Sequence, residues 1–307
     1  MTLELVVGDL GNPDGPIRHT DLVQLSGLPR ARVSSVISSL ASSPVERRRE
    51  LIDRMTELSE HNIELDFTAV LRASLRDRDS EVRAKAAHGL WDSEDRTLVR
   101  PLIDLLLNDQ SSTVREAAAS TLAKFAELAG EGKLVRRDAQ RIGDALLSVV
   151  ARADEDIETR RRAIEALAHF DSDRVRSIID ESYSSTDVRL RQSAIFAMGK
   201  SSNARWLPTV IRETRNPNAA LRYEAATACG FLGEDDTLPY LVGLLNDEDS
   251  QVQLAAVRSL GAIGGDLARR ALIQAMKRGD DAIEEAAEEA LATIDFDDDP
   301  LGFRFEG

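Results

Sequence analysis

A pattern written four times at a spacing of 31 residues constrains this chain more than any other feature. Its aliphatic anchors are Leu190, Leu221, Val252 and Ile283. Four residues after each comes Ala194, Ala225, Ala256 or Ala287, and eight after comes Met198, Cys229, Leu260 or Leu291. At about 100° per residue these three positions lie within about 80° of one another, as the buried stripe of an amphipathic helix requires. A fixed period of this length marks a repeat architecture in which each unit packs only on its neighbours. Projected backwards, the anchors are Thr159, Val114, Val82 and Arg47, giving spacings of 35, 32 and 45 before the run of 31. That makes about eight repeats. The first is degenerate, as terminal caps often are. The long interval holds an insertion around residues 130–137, read as a longer loop or a helix extension.

Within a unit the anchor helix is the second of a pair. Pro101, Pro208 and Pro239 stand thirteen residues before their anchors, in the first turn of the preceding helix, where a missing N–H costs little. Three residues before the anchor stand Asp79, Ser111, Asp156, Asp187, Asn218, Asp249 and Asp280, all able to accept from the orphan N–H groups of a helix start. Gly230, Gly233, Gly261 and Gly264 are expected to end second helices. Aromatics make up only 4% of the chain and strand formers are sparse, so the expected class is all-α.

These features resemble the HEAT family of α-solenoid repeats, in particular its short bacterial subtype first noted in phycobilisome lyases. The resemblance covers about residues 44–294. It rests on the turn acid, the Val-Arg or Leu-Arg pairs at Val82-Arg83, Val114-Arg115, Leu190-Arg191 and Leu221-Arg222, and the Ala–Leu stripe. It implies a right-handed α-solenoid, a ladder between turn Asp and Arg in neighbouring repeats, and a binding surface in place of a reaction. Gln253 and Glu284 replace the arginine in the last two units, where the ladder is expected to stop. The organisation expected is an N-terminal helical cap and first repeat helix over 1–43, the solenoid over 44–294, and an acidic tail over 295–307.

The net charge of −15 is unevenly spread, since residues 280–299 carry ten acids and no base. The body is therefore only mildly acidic, and general nucleic-acid binding, which needs a positive footprint, is disfavoured. One segment departs from this. Residues 18–41 resemble the helix-turn-helix of bacterial repressors, with a turn at Gly27 and polar Ser34 and Ser35 on the following helix. Arg18, Arg30, Arg32, Arg47, Arg48 and Arg49 make residues 16–49 locally basic. The plainer reading takes residues 29–41 as the first helix of repeat one, with 44–59 as its partner.

Nothing in the sequence assembles a catalytic or metal-binding set. The four histidines, His19, His61, His88 and His169, are scattered, and none precedes a Glu as in the His-Glu pairs of iron hydroxylases built on HEAT repeats. No zinc spacing, phosphate-cradling Gly loop or nucleophile elbow is present. The run Asp297–Asp299 lacks the spacing of a calcium loop and reads as solvated tail. Cys229, the single cysteine, falls on the apolar stripe as a small buried hydrophobe. One cysteine cannot form an internal disulfide, and no apolar run is long enough to span a bilayer, so a cytoplasmic monomer without cofactor is expected.

A partner is expected where the repeats differ. Positions +2 and +6 after the anchor point away from the buried stripe, and second helices usually line the concave side of such a solenoid. The candidate contact residues are Arg161, Gln192, Phe196, Tyr223, Thr227, Leu254 and Arg258. They form an aromatic centre flanked by arginines, suited to a protein or peptide. Phe196 has two readings, as part of this patch or as core between repeats. In the tail, Phe296 is expected to fold back on the last repeat, while Phe303 and Phe305 are a candidate docking motif. The function expected is a non-enzymatic adaptor. Alternatives are a DNA-associated regulator using residues 18–41 and an enzyme subunit of the phycobilin-lyase kind.

Overall fold

The computed structural model describes residues 3–277 and 281–298. Among them eighteen α-helices follow one another with no strand, and the chain divides into two compact units, Met1–Leu167 and Ala168–Gly307. The first unit opens with α1 (Leu3–Gly11), α2 (His19–Val23), α3 (Arg30–Leu40) and α4 (Val45–His61). Three pairs follow: α5 (Thr68–Ser74) with α6 (Ser80–His88), α7 (Val99–Asn108) with α8 (Ser112–Gly130), and α9 (Arg136–Val150) with α10 (Ile157–Leu167). The second unit holds α11 (Asp173–Tyr183) with α12 (Val188–Lys200), and α13 (Leu207–Glu213) with α14 (Ala219–Leu232). It ends with α15 (Leu238–Leu244) and α16 (Ser250–Ile263), then α17 (Gly265–Met276) and α18 (Asp281–Asp298). The architecture is an α-solenoid, with eight second helices where the anchors place them.

Second helices stack on one another, α4 on α6, α8 and α10 in the first unit and α12 on α14, α16 and α18 in the second. The reason is the small residue at +4. Ala86, Ala118, Ala163, Ala194, Ala225, Ala256 and Ala287 are all fully buried, which lets the next helix approach closely. The insertion proves to be helix extension, since α8 runs to Gly130 and α9 has 15 residues, joined by a turn at Gly132 with φ +73°. Caps form as the sequence requires at Asp79, Asp156, Asp187, Asn218 and Asp249, whose side chains accept from N–H groups two or three residues on. Ser111 makes no such bond, and Asp280 lies outside the described residues.

Two expectations about the repeat need correction. Gly233 (φ +66°) and Gly264 (φ +76°) do end α14 and α16, but Gly230 and Gly261 lie inside these helices. Their role is proximity. A Cβ on Gly199 would sit 2.6 Å from Ala228 Cα, on Gly230 3.0 Å from Ser259 Cα, and on Gly261 3.0 Å from Ala290 Cα. A glycine at +9 thus receives the small residue at +7 of the next second helix, three times in succession. The second correction concerns the ladder, whose acids stand five residues before the anchor, two before the cap. Arg48 grips Asp77, Arg83 grips Asp109 and Arg222 grips Asp247, each through two hydrogen bonds of 2.7–3.0 Å. Arg115 instead reaches Glu155, four residues before its anchor, through two bonds of 2.6 and 2.9 Å to one carboxylate oxygen. Arg83, Arg115 and Arg222 also donate to the carbonyl six residues upstream, tying each turn to the next. Arg160 uses its guanidinium on the carbonyls of Arg152 and Ala153, and Arg191 lies 3.9 Å from Glu213. Gln253 keeps the upstream bond to Asp247 O at 2.5 Å, with no carboxylate to hold.

The N-terminal repeat is also looser than expected. α3 packs on α1 and α5 and scarcely meets α4, its expected partner, which packs on α6 and α1. A cavity of about 780 Å³ lies between them. At the other end α18 runs four residues beyond 294, and Phe296 is 65% exposed, so it does not cap the last repeat. Phe303, Phe305 and Asp299 lie outside the described residues, as do the side chains of Asp297 and Asp298.

Candidate partner-binding face

On α12, α14 and α16 the stripe at anchor, +4 and +8 faces the core, which turns +2 and +6 outward. The seven candidate residues divide between the two units. Arg161, on α10 of the first, is engaged within its own helix by Glu158 at 2.7 Å and Glu165 at 4.0 Å. The other six belong to the second unit. Gln192, Phe196, Tyr223, Thr227 and Leu254 are half-buried, and Arg258 is exposed with no ion pair among the described residues. The Thr227 hydroxyl donates to Tyr223 O at 3.1 Å, which commits it to its own helix.

Phe196 satisfies parts of both readings. It is half-buried because its ring meets Phe231 of the neighbouring helix edge to face, with centroids 5.6 Å apart and planes at 85°. The Lys200 ammonium lies 4.2 Å over the Phe231 ring, a cation–π contact. Phe231 itself remains 37% exposed. Neither Phe231 nor Lys200 was among the expected residues. Both stand at +10, one helical turn beyond +6, so extending the outward stripe by one turn finds them. The face therefore carries Gln192, Phe196 and Lys200 on α12, Tyr223, Thr227 and Phe231 on α14, and Leu254 and Arg258 on α16. On α18 the matching positions are Glu285 and Glu289, both exposed.

The groups with shifted proton affinities belong to the scaffold. Burial pushes the Cys229 thiol up to about 12, so it stays protonated and inert. The Arg49 guanidinium, with the Val82 N–H, holds Asp79 down at about 2. Burial opposes ionisation of Asp109 and Asp247, yet Arg83 and Arg222 respectively keep both below the ordinary carboxylate range. In the second unit Glu213 is buried and receives Tyr183 Oη and Asn216 Nδ2, so it too is structural. Burial and then Glu213 raise the Tyr183 phenol. No three His, Cys, Asp or Glu side chains among the described residues are placed to hold a metal ion.

The basic run that follows the helix-turn-helix-like segment is engaged internally, while Arg18 and Arg32 within the segment are exposed. Arg47 donates to Leu10 O at 2.7 Å, Arg48 is bound by Asp77, and Arg49 by Asp79 and Glu81. Three of the six arginines are thus neutralised or buried inside the first unit. No helix among the described residues is long and apolar enough to cross a membrane.

Stacked helix pairs, a small-residue stripe and an arginine ladder define an α-solenoid repeat protein with its variable residues on the second helices. The profile of the HEAT repeats matches residues 68–136 and 207–292, half of the sequence, and the chain belongs to the HEAT-repeat family. Among solved structures it is similar to the complex of CpcE and CpcF of phycocyanin lyase from Nostoc sp. PCC7120, at 17% identity and a TM-score of 0.53. That match covers 92% of this chain and 99% of the other. The Kap95:Nup1 complex matches at 14% identity with the same TM-score, over 95% of this chain and 46% of the other. At these identities the likeness is one of fold. No curated protein matches the sequence.

Proposed function

We propose that the protein is a non-enzymatic adaptor that holds a protein or peptide partner on the outward face of α12, α14 and α16. The observation that carries this reading is the half-exposed Phe196–Phe231 pair with Lys200 above it, beside Tyr223 and Leu254. Aromatic side chains offer large contact area at low entropic cost, and left open to water they favour a partner that covers them. The flanking cation Arg258 suits an acid on that partner, while the engaged Arg161 contributes little. Both similar structures are of protein–protein complexes, a use of the fold in line with this reading. The internal pairing of Arg47, Arg48 and Arg49 leaves the DNA alternative with only the three arginines of residues 18–41 themselves, Arg18, Arg30 and Arg32. A cytoplasmic setting without cofactor belongs to the same proposal.

The test is affinity capture by the intact protein, with partners identified by mass spectrometry. A Phe196→Ala/Tyr223→Ala variant and a Phe231→Ala variant are compared with it. Each should lose the partner by about tenfold or more while keeping its helix content, as expected for truncating interface anchors. Undiminished capture by both variants rejects this face.

A further inference from the structure

The cavity of about 780 Å³ in the first unit is independent of the adaptor face and has a definite chemistry. Val33, Ile37 and Leu40 of α3 recur at helical spacing, as do Leu51, Ile52 and Met55 of α4, and both stripes line the same space. In the other repeats such stripes close on each other; here α3 rests on α1 and α5 instead, and the space stays open. Its size lies in the range of roughly 300–1,000 Å³ typical of small-molecule sites, which are apolar with a few placed polar groups.

The charges around it decide which molecule fits. Arg48 is held by Asp77 and Arg72 lies 3.9 Å from Asp95, while Asp66 is exposed, accepts the Thr68 N–H and keeps its negative charge. Two cations remain, both in the turn between α5 and α6 and both lining the cavity. Arg76 is exposed, and its guanidinium has no hydrogen bond or ion pair among the described residues. Arg78 is exposed, and its guanidinium makes only a 3.5 Å bond among the described residues, to Ala41 O, across the cavity just after α3. The lining carries four arginines against three carboxylates, and an apolar interior with two guanidinium groups free of a carboxylate partner at one edge complements an amphiphilic anion. Guanidinium forks match a carboxylate in plane and in hydrogen-bond count. We propose that this cavity binds an aliphatic carboxylate, with the acyl chain between α3 and α4 and the carboxylate at Arg76 and Arg78.

Titrating the full-length protein with cis-parinaric acid, a fatty acid whose fluorescence rises in apolar surroundings, tests this directly. The comparisons are its methyl ester, an Arg76→Ala/Arg78→Ala variant, and an Ala73→Phe variant that fills the space from α5. The acid should bind the native protein saturably, below its micellar range. The ester, and the acid with the arginine variant, should each bind roughly ten- to a hundredfold more weakly, the factor for losing charge-assisted hydrogen bonds. Ala73→Phe should abolish the signal. Equal affinity for acid and ester, or for the acid with and without the two arginines, overturns the proposal. So does a silent probe with the native protein, including the case in which a second copy fills the space and light scattering reports a dimer. Both arginines are exposed, so their removal leaves the core intact. Partner capture through α12–α16 is unaffected by either result, which keeps the two proposals separable.

Discussion

Asp79, Asp109 and Asp247 bind protons more weakly in the folded protein than in the unfolded chain, because each is held as an anion by an arginine of the preceding repeat. A depressed folded value means that the stabilisation is complete above the unfolded value, near about 4, and is lost as pH falls through the folded one. For Asp79 that value is about 2. The urea midpoint should therefore be level from about pH 7 to 5 and then fall steeply between about pH 4 and 2. A midpoint indifferent to pH in that window would show that these arginine–carboxylate pairs contribute nothing. The caps were legible in the sequence because hydrogen-bond acceptors recur at a fixed place before the anchor. The ladder acids were not, because Asp77, Asp109 and Asp247 stand two residues from an equally acidic or polar cap, and only geometry shows which carboxylate the arginine reaches.

Between helices, what matters is how near one backbone comes to the next. Gly230→Ala and Gly261→Ala each place a Cβ 3.0 Å or less from the neighbouring helix, so α14, α16 and α18 must separate or strain. Each should cost about 1–3 kcal/mol in chemical denaturation. Gly243→Ala, in the short helix α15 with nothing within 4 Å of the new methyl, should gain about 0.5–1 kcal/mol from helix propensity. Equal effects at all three positions would refute the close-approach account. The periodic pattern yielded helix existence, type and pairing order almost throughout, since anchor, +4 and +8 are dictated by burial. It misassigned Gly230 and Gly261 because glycine serves both as a terminator and as a contact. It stopped one turn short of Phe231 and Lys200 because the core stripe that guides the eye ends at +8.

The chain as a whole is a series of neighbour interactions, and its second unit carries a full set of them. The Arg222–Asp247 rung, the three glycine contacts and the Phe196–Phe231 pair all lie within residues 168–307. That fragment, expressed alone, should remain helical and unfold cooperatively; a far-ultraviolet spectrum of disordered chain would refute this. The open space between α3 and α4 was not legible at this scale, because a one-dimensional pattern specifies which faces are apolar and not whether two of them meet. The contact between +9 and +7 carries one more consequence. Residues 234–264 span one period of 31 and carry both Ser259 and Gly261. If that block were copied in tandem, the first copy's glycine would meet the second copy's serine, the geometry Gly230 already has with Ser259. The second copy's glycine would still meet Ala290. Lengthening by whole periods is thus nearly free of steric penalty, while insertion of any other length inside a second helix breaks the register, so the lineage of such a chain can change its reach by duplication without redesigning its seams.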